Sequence, residues 1–188
     1  NVVTEATGAP IVTGASGVAA NAPVDAGGPF GELAEPSQTN LLGTTNAIVR
    51  TMTNVGWVNG GTVTVGTATG ADGVASAAAS LTFGAVAATN TILYTTVLAQ
   101  ANRVFSPLVR RKTGSGTVQM SVDGVTWVTI ALTTAYTPFP LVTGNIANPV
   151  VGFKGLTNAD AIEVDFNMVV AGSTAPAAPI PVNVVTAA

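Results

Sequence analysis

The sequence predicts an all-β protein: an antiparallel, jelly-roll-like β-sandwich with an extended N-terminal arm and a Pro-rich C-terminal tail. Three observations carry this. From residue 44 to 172, runs of about 6 to 10 residues rich in Val, Ile, Thr and aromatics recur at near-even spacing, with turn residues between them. The stretch TVTVGTAT, residues 62–69, alternates with the two-residue period of a half-buried strand. No segment shows the 3.6-residue apolar period of a convincing amphipathic helix.

The elements follow in order. Residues 1–34 are dominated by Gly, Pro and Ala, and short apolar pairs are separated by breakers, so no periodicity persists. They read as an arm ordered where it lies on something else, with Val2, Val3, Ile11, Val12, Val18 and Phe30 as its apolar grip. The alternative is a solvated linker. The sandwich is expected over 35–172. Its further strand segments are TILYTTVLA (91–99), RVFSPLVRRK (103–112), TVQMSVDG (117–124), VTWVTIALT (125–133), FPLVTG (139–144), PVVGFKG (149–155) and AIEVDFNMVVAG (161–172). Asp123-Gly124 stands where a two-residue type I′ hairpin turn belongs, and Asn59-Gly60-Gly61 and Asp72-Gly73 mark further turns. SLTFGAVAATN (80–90) fits either a strand and loop or a short helical turn. Residues 173–188 hold three prolines and no charge, so extended geometry is expected there.

Composition excludes several functions. With no His and no Cys, a Ser-His-Asp or Cys-His device, a disulfide and a thiolate zinc site are all out of reach. Six basic residues in a chain of net charge −3 make no nucleic-acid footprint. Mean hydropathy is high at +0.51, but breakers interrupt every apolar run before the ~18 residues of a spanning helix, so no membrane span is expected. No basic segment followed by an apolar stretch stands at the start, so no signal peptide is expected. Only 8% of residues are charged, against roughly 25% in an ordinary soluble domain. Such a surface suits a protein packed against copies of itself or a partner.

Few residues are candidates for chemistry. Arg110, Arg111 and Lys112 hold half of the positive charge; they read as a solvated strand end or as a contact for an acidic partner. The aromatics read mainly as core, Trp57 included; Trp127 and Tyr136, near turns, are the candidates for an exposed glycan contact. Asp72, Asp123, Asp160 and Asp165 invite a calcium reading, but turn chemistry explains the Asp-Gly pairs and no calcium-loop series is present. Glu163 and Asp165 share a strand face about 7 Å apart, without further support for a glycosidase. No enzyme, metal or cofactor is expected.

The segment GELAEPSQTNLLG, residues 31–43, links arm and body. Pro36 holds Glu35 extended, Thr39 and Asn40 suit bonds to nearby backbone, and Leu41 and Leu42 suit an anchor in the core. The residues Glu35, Pro36, Thr39, Asn40, Leu41 and Leu42 thus read as a clasp. The same stretch, EPSQTNLL, resembles the opening motif E-P-x-x-T-N-L-L of a family of phage virion-surface β-sandwich domains found in tail-fibre and head-decoration proteins. Trp57 matches the tryptophan of that family's first core strand. TATGADGVASAA (67–78) resembles its T-x-x-P-D-G-x-x-x-A, with Ala71 in place of Pro. RVFSPLVRRKTGSGTV (103–118) resembles its F-S-x-x-x-K-x-G-x-G pair, and AIEVDFNMVVAG its closing strand, with Asn167 and Val169 departing from Q-x-E-x-G. STAPAAPIPV (173–182) resembles its exit. The resemblance covers 35 to about 182. It implies a non-enzymatic structural protein at the virion surface: most simply a capsid decoration or cement subunit, bound to the major capsid protein or another virion protein through its arm and self-associating, as a homotrimer or other homo-oligomer. The alternative it leaves open is a receptor- or glycan-binding module of a tail or head fibre.

Overall fold

The computed structural model describes residues 2–4, 10–12, 39–43 and 45–174. Residues 1–36 form one compact unit and the chain from Ser37 a second. In the first, β1 (Val2–Thr4) pairs antiparallel with β2 (Pro10–Val12), Val3 opposite Ile11. Val18, Phe30, Glu35 and Pro36 lie outside the described residues, as does the tail from 175 onward.

The second unit is the β-sandwich that the alternation predicts. After a one-turn helix, α1 (Asn46–Val49), come β3 (Trp57–Asn59), β4 (Val63–Ala68), β5 (Ala78–Phe83), β6 (Thr91–Thr95), β7 (Arg103–Phe105), β8 (Leu108–Thr113), β9 (Val118–Ser121), β10 (Val128–Thr129), β11 (Thr137–Pro138), β12 (Leu141–Val142), β13 (Val150–Gly155), β14 (Ala161–Asp165) and β15 (Val169–Ala171). The first sheet has the order β10-β9-β13-β6-β3 and the second β11-β8-β14-β5-β4; a small sheet is β12-β7-β15. All ladders are antiparallel.

Side chains alternate across each strand, so one residue in two faces the other sheet. From the first sheet Trp57, Ile92, Val118, Met120, Val151 and Phe153 point inward; from the second come Val63, Leu81, Phe83, Val109, Ile162 and Val164. Phe105 and Phe153 meet with ring centroids 5.9 Å apart. Trp57 lies in this core, its ring 5.3 Å from Tyr94 and its indole N–H donating to Ile48 O at 2.9 Å. At Gly155 a Cβ would run into the Phe83 ring, so glycine is what lets that ring close over β13.

The second sheet bends, and three strands bend together. β8 runs back through Ser106-Pro107 into β7, β14 runs on through Phe166, Asn167 and Met168 into β15, and β11 runs on through Phe139-Pro140 into β12. Leu108 faces both Pro138 and Asp165, and Phe105 faces both Leu141 and Val169, so the breaks line up. Pro107 has no N–H for a ladder. The break after Asp165 carries one residue more than its neighbours, and Phe166 adopts φ +44, the signature of a bulge. RVFSPLVRRK and AIEVDFNMVVAG are therefore two strands each, not one.

Two other expectations are corrected. Asp123-Gly124 is not a two-residue hairpin turn: Met120 pairs with Val128, so residues 121–127 form the loop. Gly124 has φ +75 while Asp123 is not among the positive-φ residues, and a type I′ turn needs both. VTWVTIALT contributes only β10, because the Asp123 loop draws 125–127 off the ladder. SLTFGAVAATN is strand to Phe83 and loop beyond it.

The start of the sandwich is tied to its end. Asn40 Oδ1 accepts from the backbone N–H of Leu42 (3.1 Å) and of Val169 (3.0 Å), and its Nδ2 donates to Asn167 O (2.9 Å). Leu41 N–H donates to Val169 O at 2.6 Å, Leu42 is buried, and Leu41 packs on the core. Thr39 is exposed. Asn40→Ala leaves buried backbone groups unpaired at a cost of about 1–3 kcal/mol. The expected result is a Tm lower by roughly 3–10 °C, against an unchanged Tm for Thr39→Ala; calorimetry of the two variants checks it.

Candidate functional site

The way the six cations are used locates the site. Arg50, at the C-terminal end of α1, is buried beneath the bend. Its Nε donates to Asp165 Oδ1 (2.8 Å), and its Nη2 donates to Asp165 Oδ2 (2.9 Å) and Asp72 Oδ1 (2.8 Å). Asp165 is fully buried and also accepts from the backbone N–H of Ala71 and of Phe166, each at 2.8 Å. The guanidinium lies 4.3 Å from the centroid of the Phe166 ring. Its hydrogen bond to Asp165 raises the Arg50 pKa well above the ordinary value, and the same guanidinium holds Asp72 below the usual carboxylate range. A Cβ on Gly70 would meet Arg50, Asp72 and Asp165 at once.

Four more cations are committed to the fold. Arg103 donates to the carbonyls of Ala99 (2.6 Å), Ala101 (3.3 Å) and Ile146 (3.4 Å). Arg110 Nε meets Glu163 Oε2 at 2.5 Å, and its guanidinium lies 4.4 Å from the Tyr136 ring centroid. Arg111 pairs with Asp160 (3.2 Å) and donates to Gly116 O (2.7 Å). Lys112 Nζ donates to Ser80 Oγ at 2.9 Å. The run Arg110, Arg111 and Lys112 is thus engaged within the sandwich.

Tyr136 is engaged too. It is half-buried, its hydroxyl donates to Thr69 O at 2.9 Å, and burial pushes its pKa up to about 12. Glu163 and Asp165 do face one side of β14, but each is held by its own arginine. Of the four aspartates considered for calcium, Asp72 and Asp165 share Arg50, Asp160 pairs with Arg111 and Asp123 takes its own loop donors; among the described residues no group of three or more acidic side chains gathers around a metal position.

Lys154 stands apart. It is on β13, between the buried Phe153 and Gly155, so its side chain leaves the outer face of the first sheet. Among the described residues no hydrogen-bond acceptor or carboxylate pairs with it; its ammonium lies 5.5 Å from the centroid of the half-buried Trp127 ring. The register sets Lys154 opposite Gln119 on one side and Thr91 on the other, and Gln119 opposite Thr129. Gln119 Nε2 lies 3.5 Å from Thr129 Oγ1, on this same face. A polar row, Thr129–Gln119–Lys154–Thr91, therefore crosses four strands, with the Trp127 indole beside its lysine.

The loop that presents Trp127 is built by Asp123. Its Oδ1 accepts from Val125 N–H (2.8 Å), Thr126 N–H (2.7 Å) and the Ser121 hydroxyl (3.0 Å). Desolvation works to raise the Asp123 pKa, but these donors outweigh it and bring it down to about 2. Of the site residues, only Trp127 stood out in the sequence. Alternation around Val118, Met120 and Phe153 marks Gln119 and Lys154 as outward, but nothing local says that they meet.

No family model and no curated protein matches the chain. Among solved structures, the sandwich is similar to a family 29 carbohydrate-binding module complexed with cellulohexaose, at 12% identity over 72% of this chain and 89% of that one, TM-score 0.44. It is similar to the ligand-free module BiXyn10A CBM1, at 11% identity over 74% of this chain and all of that one, TM-score 0.46. It is also similar to the CBM22-1–GH10 modules of Clostridium thermocellum endo-1,4-beta-D-xylanase 10B complexed with xylohexaose, at 13% identity over 73% of this chain and 29% of that one, TM-score 0.48.

Asp72 and Asp123 have lowered folded-state pKa values. Their stabilising contribution is present above the unfolded aspartate value, about 3.9, and is lost as the pH falls through the folded values. Tm is expected to hold steady above about pH 5 and to fall between about pH 4 and pH 2. Asp123→Asn is expected to make that fall smaller and to leave the part due to Asp72. Scanning calorimetry from neutral to acid pH on both proteins checks this.

Proposed function

We propose that this chain is a non-catalytic structural module of a phage virion surface whose sandwich binds carbohydrate on the outer face of the first sheet, around Trp127. One observation supports the binding reading above the rest. Five of the six cations are tied into the fold, while Lys154 is left beside a half-buried indole and a row of amide and hydroxyl groups. An indole offers an apolar ring face with one polar edge, which suits the C–H face of a sugar, and the row beneath supplies donors and acceptors for its hydroxyls. The virion setting is supported by the resemblance of residues 35–182 to virion-surface domains.

A second reading, a capsid decoration or cement subunit that grips the major capsid protein through its arm, is favoured by a different observation. Val55, Val97 and Val125 are 96%, 94% and 80% exposed in a surface poor in charge. An open apolar groove of about 220 Å³ also runs between Met120, Val128, Ile130, Phe139 and Leu141. Cyclic self-association would cover such surface.

One experiment weighs the two readings. Particles carrying Trp127→Ala are expected to incorporate the chain normally and to lose adsorption and glycan-array binding, with Tyr136→Phe particles unchanged. Unaltered adsorption and array binding in Trp127→Ala would overturn the carbohydrate reading. Particles that lose the chain when residues 1–34 are deleted support the cement reading; full occupancy after that deletion contradicts it.

A further inference from the structure

We infer that the Trp127 face takes an acidic carbohydrate: a short oligosaccharide bearing carboxylates, laid across the strands with one carboxylate on Lys154. The inference rests on the carbohydrate reading above and adds the chemical class of the ligand.

The charge inventory leads to it. Arg50, Arg110 and Arg111 each have a carboxylate, Lys112 has the Ser80 hydroxyl, and Arg103 has three carbonyls. Among the described residues Lys154 has only the π face of Trp127, which satisfies part of its electrostatic demand and none of its N–H donors. A neutral sugar would leave those donors to water. A carboxylate would accept from them in a charge-assisted bond, roughly twice as strong as a neutral one.

The surroundings do not oppose an anion. Asp123, four residues before Trp127, has its Oδ1 engaged by loop N–H groups and a hydroxyl. Residues 39–174 hold all six cations and only five of the nine acids; Glu5, Asp25, Glu32 and Glu35 all precede them. The negative net charge of the chain therefore comes from outside the sandwich.

The row also sets a length. Thr129 to Thr91 spans three strand-to-strand steps, about 14 Å, the reach of an oligosaccharide and more than a single sugar needs. Gln119, next to Lys154 in the row, is placed to donate to a second oxygen of the carboxylate or to a ring hydroxyl. Gly60 keeps the far end low, since a Cβ there would collide with Thr91 Oγ1 and Thr89 O.

The test is calorimetric titration of the full chain with a galacturonate oligosaccharide and with its carboxyl-reduced, neutral counterpart, at low and at high salt. The native chain is expected to bind the acid about tenfold or more tightly than the neutral sugar, with the preference shrinking as salt rises. Lys154→Gln should abolish the preference, Lys154→Arg should keep it, and Trp127→Ala should lose both ligands, all at native Tm. Equal binding of the two sugars, or a preference that survives Lys154→Gln, overturns the acidic class while leaving the carbohydrate reading standing. No binding of either sugar, together with silence on a glycan array, overturns the carbohydrate reading itself. Binding of an acidic peptide in place of both sugars reassigns the face to a protein partner.

Discussion

The buried pair between Arg50 and Asp165 is the constraint on which the bent sheet depends. Asp165 is the last residue of β14 before the break, and its two oxygens collect the guanidinium and the N–H groups of Ala71 and Phe166. That single carboxylate joins the helix end, the loop between β4 and β5, and the turn into β15. Asn167 extends the junction: its backbone N–H and its Nδ2 both donate to Val49 O, at 2.6 and 3.2 Å. Asn40 then closes it from the other side. Two charges out of water gain little against a well-packed apolar alternative, yet losing one partner leaves an uncompensated buried charge at a cost of about 3–5 kcal/mol. The pair fixes where the sheet turns more than it adds to net stability.

The remaining ions follow the same economy. A sandwich with 8% charged residues has few charges to place, and most are placed inward of bulk water on the second sheet or beneath its bend. Tyr136 covers Arg110 and bonds Thr69 O, sheltering the Arg110–Glu163 pair. The first sheet is treated differently. Among the described residues its outer face carries the Lys154 ammonium with no hydrogen-bond acceptor, the Trp127 indole and a row of neutral donors and acceptors. One face is thus built for cohesion and the other for contact, and the functional reading grows from that asymmetry.

The legible part of the sequence was the part that local periodicity writes. TVTVGTAT and PVVGFKG became strands because alternation and β-branched side chains decide such segments; SLTF fits a strand or a helical turn by itself, and pairing with β4 and β14 makes it part of β5. Trp57 fell in the core, as expected of an aromatic on a strand. The bend was harder: Pro107 was visible, but the bulge at Phe166–Met168 depends on Arg50, more than a hundred residues away. The Asp123 loop looked like a hairpin turn because Asp-Gly favours one; three donors to one carboxylate oxygen gave the wider loop instead. Tyr136 and Trp127 looked alike as exposed aromatics, and only tertiary partners separate them. Lys154 carried no local signal, because being unpaired is a property of the whole charge inventory.

The most direct test of that asymmetry is a ¹H–¹⁵N correlation spectrum of the chain during titration with the galacturonate oligosaccharide. The chain has two tryptophans, so two indole N–H peaks are expected. Trp57 donates to Ile48 O in the core and should stay fixed, as should the Nε–H peaks of Arg50 and Arg110, while the Trp127 peak moves with saturation. A fixed Trp127 peak, with shifts at Arg110 and its neighbours instead, would contradict the assignment of binding to the first sheet and cohesion to the second.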